Sequence, residues 1–165
     1  MNILELLAQA LYLGVVATLI MDIWLLILKR FNIPTLNFAL LGRWVGWIFQ
    51  GKFLHQSIAQ SPAIQHEYRL GWIAHYSVGI IFALSFILMV GDHWWIQLQF
   101  YPALAFGVIT VLIPFLIMQP AMGSGFASSK TPRPFLNCFK SLVNHSIFGC
   151  GLYLATQFLQ LLSLH

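Results

Sequence analysis

The chain has 165 residues, of which 59% are hydrophobic and only 7% are charged. Soluble domains carry about 25% charged residues, so this composition excludes a water-soluble globular protein and makes the lipid bilayer the expected partner. The formal net charge of +4 comes from lysines and arginines that cluster beside apolar runs. This arrangement argues against nucleic acid as a partner and indicates a membrane topology signal.

The first apolar run, residues 6–28, is long enough to cross a bilayer core of about 30 Å as a helix. It is not typical of a cleaved signal peptide, because Glu5 precedes it where a cationic region would be expected. Asp22 is an ionisable residue inside this run, seven residues before Lys29.

Residues 29–69 form a long connection after the first run. Apolar side chains recur within it at helical spacing, which predicts an amphipathic helix on the membrane surface. A segment that caps the bundle or re-enters the membrane is the alternative. The recurring apolar residues are Phe38, Leu41, Val45, Ile48 and Phe49.

Three more apolar runs follow, at about 70–90, 98–118 and 141–162. Backbone exposed to lipid must satisfy its hydrogen bonds internally, so each run should be helical. We therefore predict an all-α bundle of four transmembrane helices in a single domain, residues 1–165. Trp94 and Trp95 occupy the short turn between the second and third runs, and we interpret them as interfacial anchors.

All lysines and arginines fall in the two loops 29–69 and 119–140. The positive-inside rule places both loops in the cytoplasm. The chain is then expected in a bacterial inner membrane with both termini in the periplasm.

A weak internal repeat suggests that the bundle is a duplicated helical hairpin. The second and fourth runs share the pattern H-x-x-x-G, and the first and third runs share a looser match. The paired residues are His75 with His145, Gly79 with Gly149, and Gly14 with Gly107.

Polar residues of different runs fall at a similar depth. Asp22, His75 and His145 lie five to seven residues from the cationic borders, which corresponds to about 8–10 Å at 1.5 Å per residue. Ionisable residues inside a membrane usually mark function. We predict a site for a small polar ligand or cation in the cytoplasmic half; its candidate residues are Asp22, Arg43, His75, Gln119, Met122 and His145.

Several alternatives to this ligand site remain open. His75 and His145 lie at similar depth on predicted helices that run in the same direction. They could therefore act as the two axial ligands of a b-type haem. Asp22, His75 and His145 are instead a candidate ligand set for a divalent metal in a membrane enzyme. Asp22 paired with one histidine would simply tie two helices together. A structural or accessory subunit of a larger membrane complex, and a homo-oligomer, are further alternatives. No catalytic residue is assigned.

The remaining cysteines and histidines are interpreted as unrelated to the site. Cys138 and Cys150 are twelve residues apart on one predicted helix, roughly 18 Å, which is too far for a disulfide. The other histidines fall in loops or at the chain end and are interpreted as solvated; they are His55, His66, His93 and His165.

Six short motifs give the chain a resemblance to a known family. They are Met21-Asp22-x-Trp24, Gly42-Arg43-Trp44, Gly71-Trp72-x-x-His75-Tyr76, Met118-Gln119-Pro120-x-Met122-Gly123-x-Gly125, Thr131-Pro132-x-Pro134 and His145-x-x-x-Gly149-x-Gly151-Leu152-Tyr153. With these motifs, over about residues 14–155, the chain resembles a bacterial family of small four-span inner-membrane proteins catalogued as a domain of unknown function. The resemblance implies a membrane bundle and adds no activity.

Overall fold

The computed structural model describes residues 2–163, apart from the side chains of Asp92, His93, Leu162 and Ser163. The chain is all-α, as the sequence predicts. The helices in this part of the chain are α1 (Ile3–Arg30), α2 (Phe38–Phe49), α3 (Glu67–Ile96), α4 (Phe100–Thr110), α5 (Gln119–Ala121) and α6 (Pro134–Ser163). A π-helix at Pro114–Met118 and 3-10 turns at Ile58–Gln60 and Phe126–Ser128 lie between them.

Three helical segments within residues 2–163 are long and apolar enough to cross a membrane. They are Ile3–Arg30, Glu67–Gly91 and Phe100–Ala121, which agrees with the predicted helical membrane bundle. The fourth predicted span lies in α6, a helix of 30 residues. Polar residues such as Asn144, Gln157 and Gln160 make α6 less apolar, and its crossing of the membrane stays a prediction.

The turn predicted around Trp94 and Trp95 is helical for the most part. Helix α3 is interrupted at Gly91, where φ is +63°, and then continues to Ile96. Trp94 is only 4% exposed, packs edge-on against Phe86 at 4.7 Å, and donates its indole N–H to the Gln99 carbonyl. The interpretation of Trp94 as an interfacial anchor is therefore wrong, because the interruption at Gly91 turns this side chain into the core.

The described chain divides into two compact units. Unit 1 comprises Met1–Ile33, Tyr76–Thr110 and Val143–His165, and unit 2 comprises Pro34–His75 and Val111–Leu142. The single domain predicted from the chain length stays a prediction.

Unit 1 encloses an apolar core to which four helices contribute. The core residues include Leu13 and Ala17 of α1, Ala83 and Phe86 of α3, Ala103 and Phe106 of α4, and Phe148, Leu152 and Ala155 of α6. On the outer side of α1, Leu19, Ile23 and Leu26 are exposed. Apolar side chains exposed in this way on apolar helices indicate contact with lipid.

Glycines bring the helices of unit 1 into backbone contact. A Cβ at Gly14 would lie 2.5 Å from the Cα of Ile80, next to Gly79, and a Cβ at Gly107 would lie 2.6 Å from the Cα of Gly149. Gly14 and Gly107 correspond in the sequence repeat, as do Gly79 and Gly149. The same helix crossing therefore occurs in both predicted copies of the hairpin, which supports the duplication.

Proline shapes the end of the third span, in unit 2. Pro114 has no N–H to donate to the helix, and the chain takes a π-helical form from Pro114 to Met118. Single-turn π segments inside α-helices are rare, and no sequence pattern predicted this one. The segment passes directly into α5, so that Gln119 and the residues after it lie where the third span ends.

Helix α2 confirms that the predicted amphipathic segment is helical. The Asn37 side chain accepts hydrogen bonds from the amides of Ala39 and Leu40 and so begins the helix. Its buried residues are Leu41, Gly42 and Gly46. The small residues on this face allow α2 to pack closely on the start of α3.

Candidate functional site

The buried carboxylate of Asp22 lies on the inner face of α1. This helix buries Leu13, Ala17 and Thr18, and Asp22 follows Thr18 by one helical turn, so it points to the same side. Asp22 is only 6% exposed. Its Oδ2 accepts a hydrogen bond from the Tyr76 hydroxyl of α3 at 2.8 Å. The acid of the predicted site is therefore inside unit 1 and bound to a second helix.

The imidazole of His145 is oriented by α4. Its Nδ1 lies 2.8 Å from the Thr110 hydroxyl oxygen, and that hydroxyl donates to the Gly107 carbonyl oxygen at 2.6 Å. A threonine hydroxyl has one proton. Because this proton goes to Gly107, Thr110 must accept a hydrogen bond from Nδ1–H of His145. The lone pair of the neutral imidazole is then on Nε2.

Two further contacts join the helices that carry these pairs. The indole N–H of Trp24 on α1 donates to Asn144 Oδ1 on α6 at 3.1 Å. The Phe82 ring of α3 lies 6.5 Å from the His145 ring. Helices α1, α3, α4 and α6 thus all contribute side chains at one level of unit 1. We name this set the polar layer; it consists of Asp22, Tyr76, Thr110, Asn144 and His145.

His75, the second predicted histidine, belongs to unit 2. Its ring contacts Phe38 of α2, with 4.9 Å between ring centroids, and the edge of Trp72 at 6.0 Å. Aromatic neighbours on two helices therefore fix the orientation of this imidazole. Its role as a ligand group remains a prediction.

Gln119 and Met122 lie where a loop docks on the end of the third span. The amides of His55 and Ile58 donate to the carbonyls of Ala121 and Met122, and Gln119 Oε1 accepts from the Ser128 hydroxyl at 3.1 Å. Both predicted site residues thus make contacts that hold unit 2 together. Their ligand-binding roles remain predictions.

The sequence reasoning missed the role of Gly123 in this docking. Its φ is +93°, and a Cβ there would overlap the carbonyl oxygen of Gln56. Only glycine combines this backbone conformation with such a close approach. The available signal in the sequence is a glycine shortly after the third predicted span.

His55 corrects the interpretation that the histidines outside the apolar runs are solvated. It is only 7% exposed, and its Nδ1 lies 2.9 Å from the Ser61 hydroxyl. The loop is buried by its docking on Ala121 and Met122, which local sequence does not reveal. His66 is exposed as expected, whereas the side chain of His93 and the whole of His165 lie outside the described residues.

Arg43 has a structural role within unit 2. Its Nε and Nη2 donate to the two carboxylate oxygens of Glu67, each at 2.8 Å, and Nη1 donates to the carbonyls of Ile58, Ala59 and Ser61. The Glu67 carboxylate raises the pKa of the guanidinium, which keeps it charged. These donors are directed to protein groups, and the ligand-binding role of Arg43 stays a prediction.

Cys138 and Cys150 are free thiols and both lie in α6, as predicted. The predicted metal and haem sites depend on where the structure places the histidines and carboxylates. Among the side chains that the structure describes, no group of three or more histidines, cysteines, aspartates or glutamates is placed to hold a metal ion, and the metal-enzyme hypothesis stays a prediction. The haem hypothesis rests on histidines of different units and stays a prediction; a Soret band in purified protein would test it.

Comparison with known proteins identifies the family. No curated protein and no solved structure gives a significant match to the chain. Residues 11–159 match the family described as "protein of unknown function (DUF2938)", in agreement with the resemblance drawn from the six motifs. The match covers most of the chain, and the protein belongs to this family.

Proposed function

We propose that this chain is an integral protein of a bacterial inner membrane that binds or translocates a small polar ligand or cation at the polar layer. The observation that carries the proposal is the buried Asp22 carboxylate, hydrogen-bonded to Tyr76 in the same compact unit as an oriented His145 imidazole. A charged group in hydrocarbon costs about 2.5–3.5 kcal/mol on insertion scales, and such groups usually mark substrate, ion or proton pathways.

The chemistry of the polar layer suits a ligand that carries positive charge or donates hydrogen bonds. Asp22 supplies a carboxylate, while Tyr76 holds one of its oxygens in place. His145 supplies an imidazole that Thr110 holds in one orientation, and histidine is the side chain that exchanges protons near neutral pH. A carboxylate attracts a cation, and an imidazole in the same apolar unit exchanges protons. Together they support a site at which cations and protons compete.

The orientation of the proposed protein follows from its cations. All lysines and arginines fall in the loops 29–69 and 119–140, which the positive-inside rule assigns to the cytoplasm. The termini are then periplasmic. Asp22 and His145 lie near the cytoplasmic ends of their helices, so we propose that ligand enters from, or leaves to, the cytoplasm.

Asp22→Asn should abolish stabilisation by ligand. The probes are Na⁺, K⁺, Mg²⁺, Zn²⁺ and small primary and quaternary ammonium salts, each added at equal ionic strength to detergent-purified protein. We expect at least one class to raise the thermal unfolding temperature of the wild type, as followed by tryptophan fluorescence. Asparagine still accepts the Tyr76 hydrogen bond but has no charge, and the loss of a buried charge partner weakens binding by about 2 kcal/mol or more.

Glu5→Gln is the matched control, since it also changes a carboxylate of α1 to an amide. Glu5 is exposed and its capping box with Asn2 tolerates glutamine, so this variant should respond as the wild type does. A response of Asp22→Asn equal to that of the wild type would remove Asp22 from the site. If no probe stabilises the wild type, the accessory-subunit alternative is favoured. His75→Ala, in the same series, tests the second predicted histidine.

Thr110→Val should change the tautomer of His145. Valine keeps the shape of threonine but cannot accept the Nδ1–H hydrogen bond, so the preference for the Nδ1–H form of the neutral imidazole should be lost. The ¹⁵N chemical shifts of histidine-labelled protein report the tautomer directly. Thr110→Ser retains the hydroxyl and should keep the wild-type shifts. A wild-type tautomer in Thr110→Val would show that Thr110 does not orient the ring.

A further inference from the structure

Unit 2 carries positive charge that its own carboxylates do not neutralise. Glu67 is the single acidic residue within Pro34–His75 and Val111–Leu142, and it is paired with Arg43. The other cations of the unit are Lys52, Arg69, Lys130, Arg133 and Lys140. A surface with this excess of charge is complementary to an anionic partner.

Three of these cations and three exposed aromatic rings lie close together along the chain where α6 begins. Phe135 and Phe139 are 91% and 63% exposed and lie one turn apart, so they share one side of the helix. Arg133 directly precedes α6, and Lys140 lies within it, where its Nζ donates to the Pro34 carbonyl at 3.4 Å. Lys130 accompanies the exposed Phe126 in the preceding turn. We name these residues the basic strip: Phe126, Lys130, Arg133, Phe135, Phe139 and Lys140.

The turn that carries the basic strip is held in a fixed conformation. The Asn137 amide donates to the Thr131 hydroxyl at 2.9 Å, and that hydroxyl donates to the Ser128 carbonyl at 2.7 Å. Pro132 and Pro134 further restrict the backbone. Cations presented on a preformed turn lose less conformational freedom when they bind a partner.

The combination of aromatic rings and cations selects the kind of partner. Exposed phenylalanines are unfavourable in water but stable at the boundary between headgroups and acyl chains, where interfacial helices bury such side chains. Lysine and arginine reach from this depth to lipid phosphates. A small soluble anion would satisfy the charges and leave the rings in water.

We propose that the basic strip is a docking surface for anionic phospholipid headgroups. Its lysines and arginine contact the phosphates, and its phenylalanines lie among the upper acyl chains. This role is separate from ligand binding at the polar layer and involves other residues.

The test compares phosphatidylglycerol with phosphatidylcholine of the same acyl chains. Each lipid is titrated into detergent-purified protein, and the thermal unfolding temperature is followed by tryptophan fluorescence. Because each cation near an anionic surface favours binding, half of the stabilisation should need roughly tenfold less phosphatidylglycerol than phosphatidylcholine. Raising NaCl from about 0.05 M to about 0.5 M should reduce this difference, since salt screens exposed charges.

Variants assign the lipid preference to the basic strip. The triple change Lys130→Gln, Arg133→Gln, Lys140→Gln should lose most of the preference, and Arg133→Gln alone should lose part of it. Lys52→Gln with Arg69→Gln removes two cations of unit 2 outside the strip and should keep the preference. Unfolding temperatures in phosphatidylcholine check that each variant is folded.

Three results would overturn the proposal. Equal responses of the wild type to the two lipids would exclude a preference for anionic headgroups. An equal loss in the Lys52 and Arg69 control would show that total charge, and not the basic strip, is responsible. Inorganic phosphate that reproduces the stabilisation without lipid would identify a soluble anion as the ligand.

Discussion

Replacing Gly42 by alanine should lower the free energy of unfolding by about 3 kcal/mol or more, because it forces α2 away from the start of α3. A Cβ at Gly42 would overlap the carbonyl oxygen of Glu67 and would lie 2.5 Å from the amide nitrogen of Gly71. Both are backbone atoms of α3, so no rotamer change relieves the overlap. Gly71→Ala should have a similar effect, since its Cβ would overlap the carbonyl oxygen of Phe38.

The expected loss exceeds that of ordinary overpacking because the helix crossing also positions an ion pair. Gly42 contacts the backbone of Glu67, and Arg43, the next residue, donates to the side chain of the same glutamate. When α2 moves outward, the guanidinium loses its alignment with the carboxylate. Unfolding of detergent-purified protein, titrated with sodium dodecyl sulfate and followed by tryptophan fluorescence, measures the change.

Gly46→Ala provides the matched control on the same helix. Its Cβ would meet side-chain atoms of Ile64 and Leu70, the nearest being Cδ1 of Ile64 at 2.8 Å, and these flexible ends can move aside. Alanine also favours the helix over glycine by about 1 kcal/mol, so the net effect should be small. Equal stabilities of Gly42→Ala and Gly46→Ala would contradict the close crossing of α2 and α3.

The helices could be predicted from the sequence because membrane insertion imposes length and composition together. Residues 6–28, 70–90 and 98–118 were predicted as spans, and the structure places apolar helices at Ile3–Arg30, Glu67–Gly91 and Phe100–Ala121. The interruptions within these helices were not predictable in the same way. The break at Gly91 and the π segment after Pro114 depend on how neighbouring helices pack, which periodicity does not encode.

The candidate site was only partly predictable from the sequence. Asp22 and His145 were identified because ionisable residues are conspicuous in apolar runs, and both lie in unit 1. Their partners Tyr76 and Thr110 were not identified, because tyrosine and threonine occur in any apolar helix and become partners only through helix rotation. Other contacts between side chains of different helices could not be predicted from the sequence for the same reason.

The ion-pair partner of Arg43 could have been predicted from the sequence. Glu67 is the one carboxylate in the long loop 29–69, and it was therefore the available partner for a cation in the same loop. The positive-inside rule explains why cations gather in this loop, but it does not say which of them is buried. Only the crossing of α2 and α3 brings Arg43 to Glu67.

Arg43→Met should destabilise the protein by about 3 kcal/mol, the range found when one partner of a buried ion pair is removed. The Arg43 and Glu67 side chains are only 14% and 18% exposed, so methionine leaves a largely buried carboxylate without its cation. The carbonyls of Ile58, Ala59 and Ser61 also lose the hydrogen bonds that Nη1 of Arg43 donates. Arg43→Lys should fall between methionine and the wild type, because one ammonium cannot replace a two-pronged guanidinium.

Loss of Arg43 should also release the loop that it holds. Amide hydrogen exchange at residues 53–62 should rise in Arg43→Met while exchange in the helices of unit 1 changes little, since opening is local where stabilising contacts are few. Arg69→Gln is the control: it removes an exposed cation of the first turn of α3 and should alter neither stability nor exchange. A double-mutant cycle with Glu67→Gln separates the ion pair from the carbonyl contacts. Additive effects of the two substitutions would show that the pair does not couple α2 to α3 and that Arg43 acts on the loop alone.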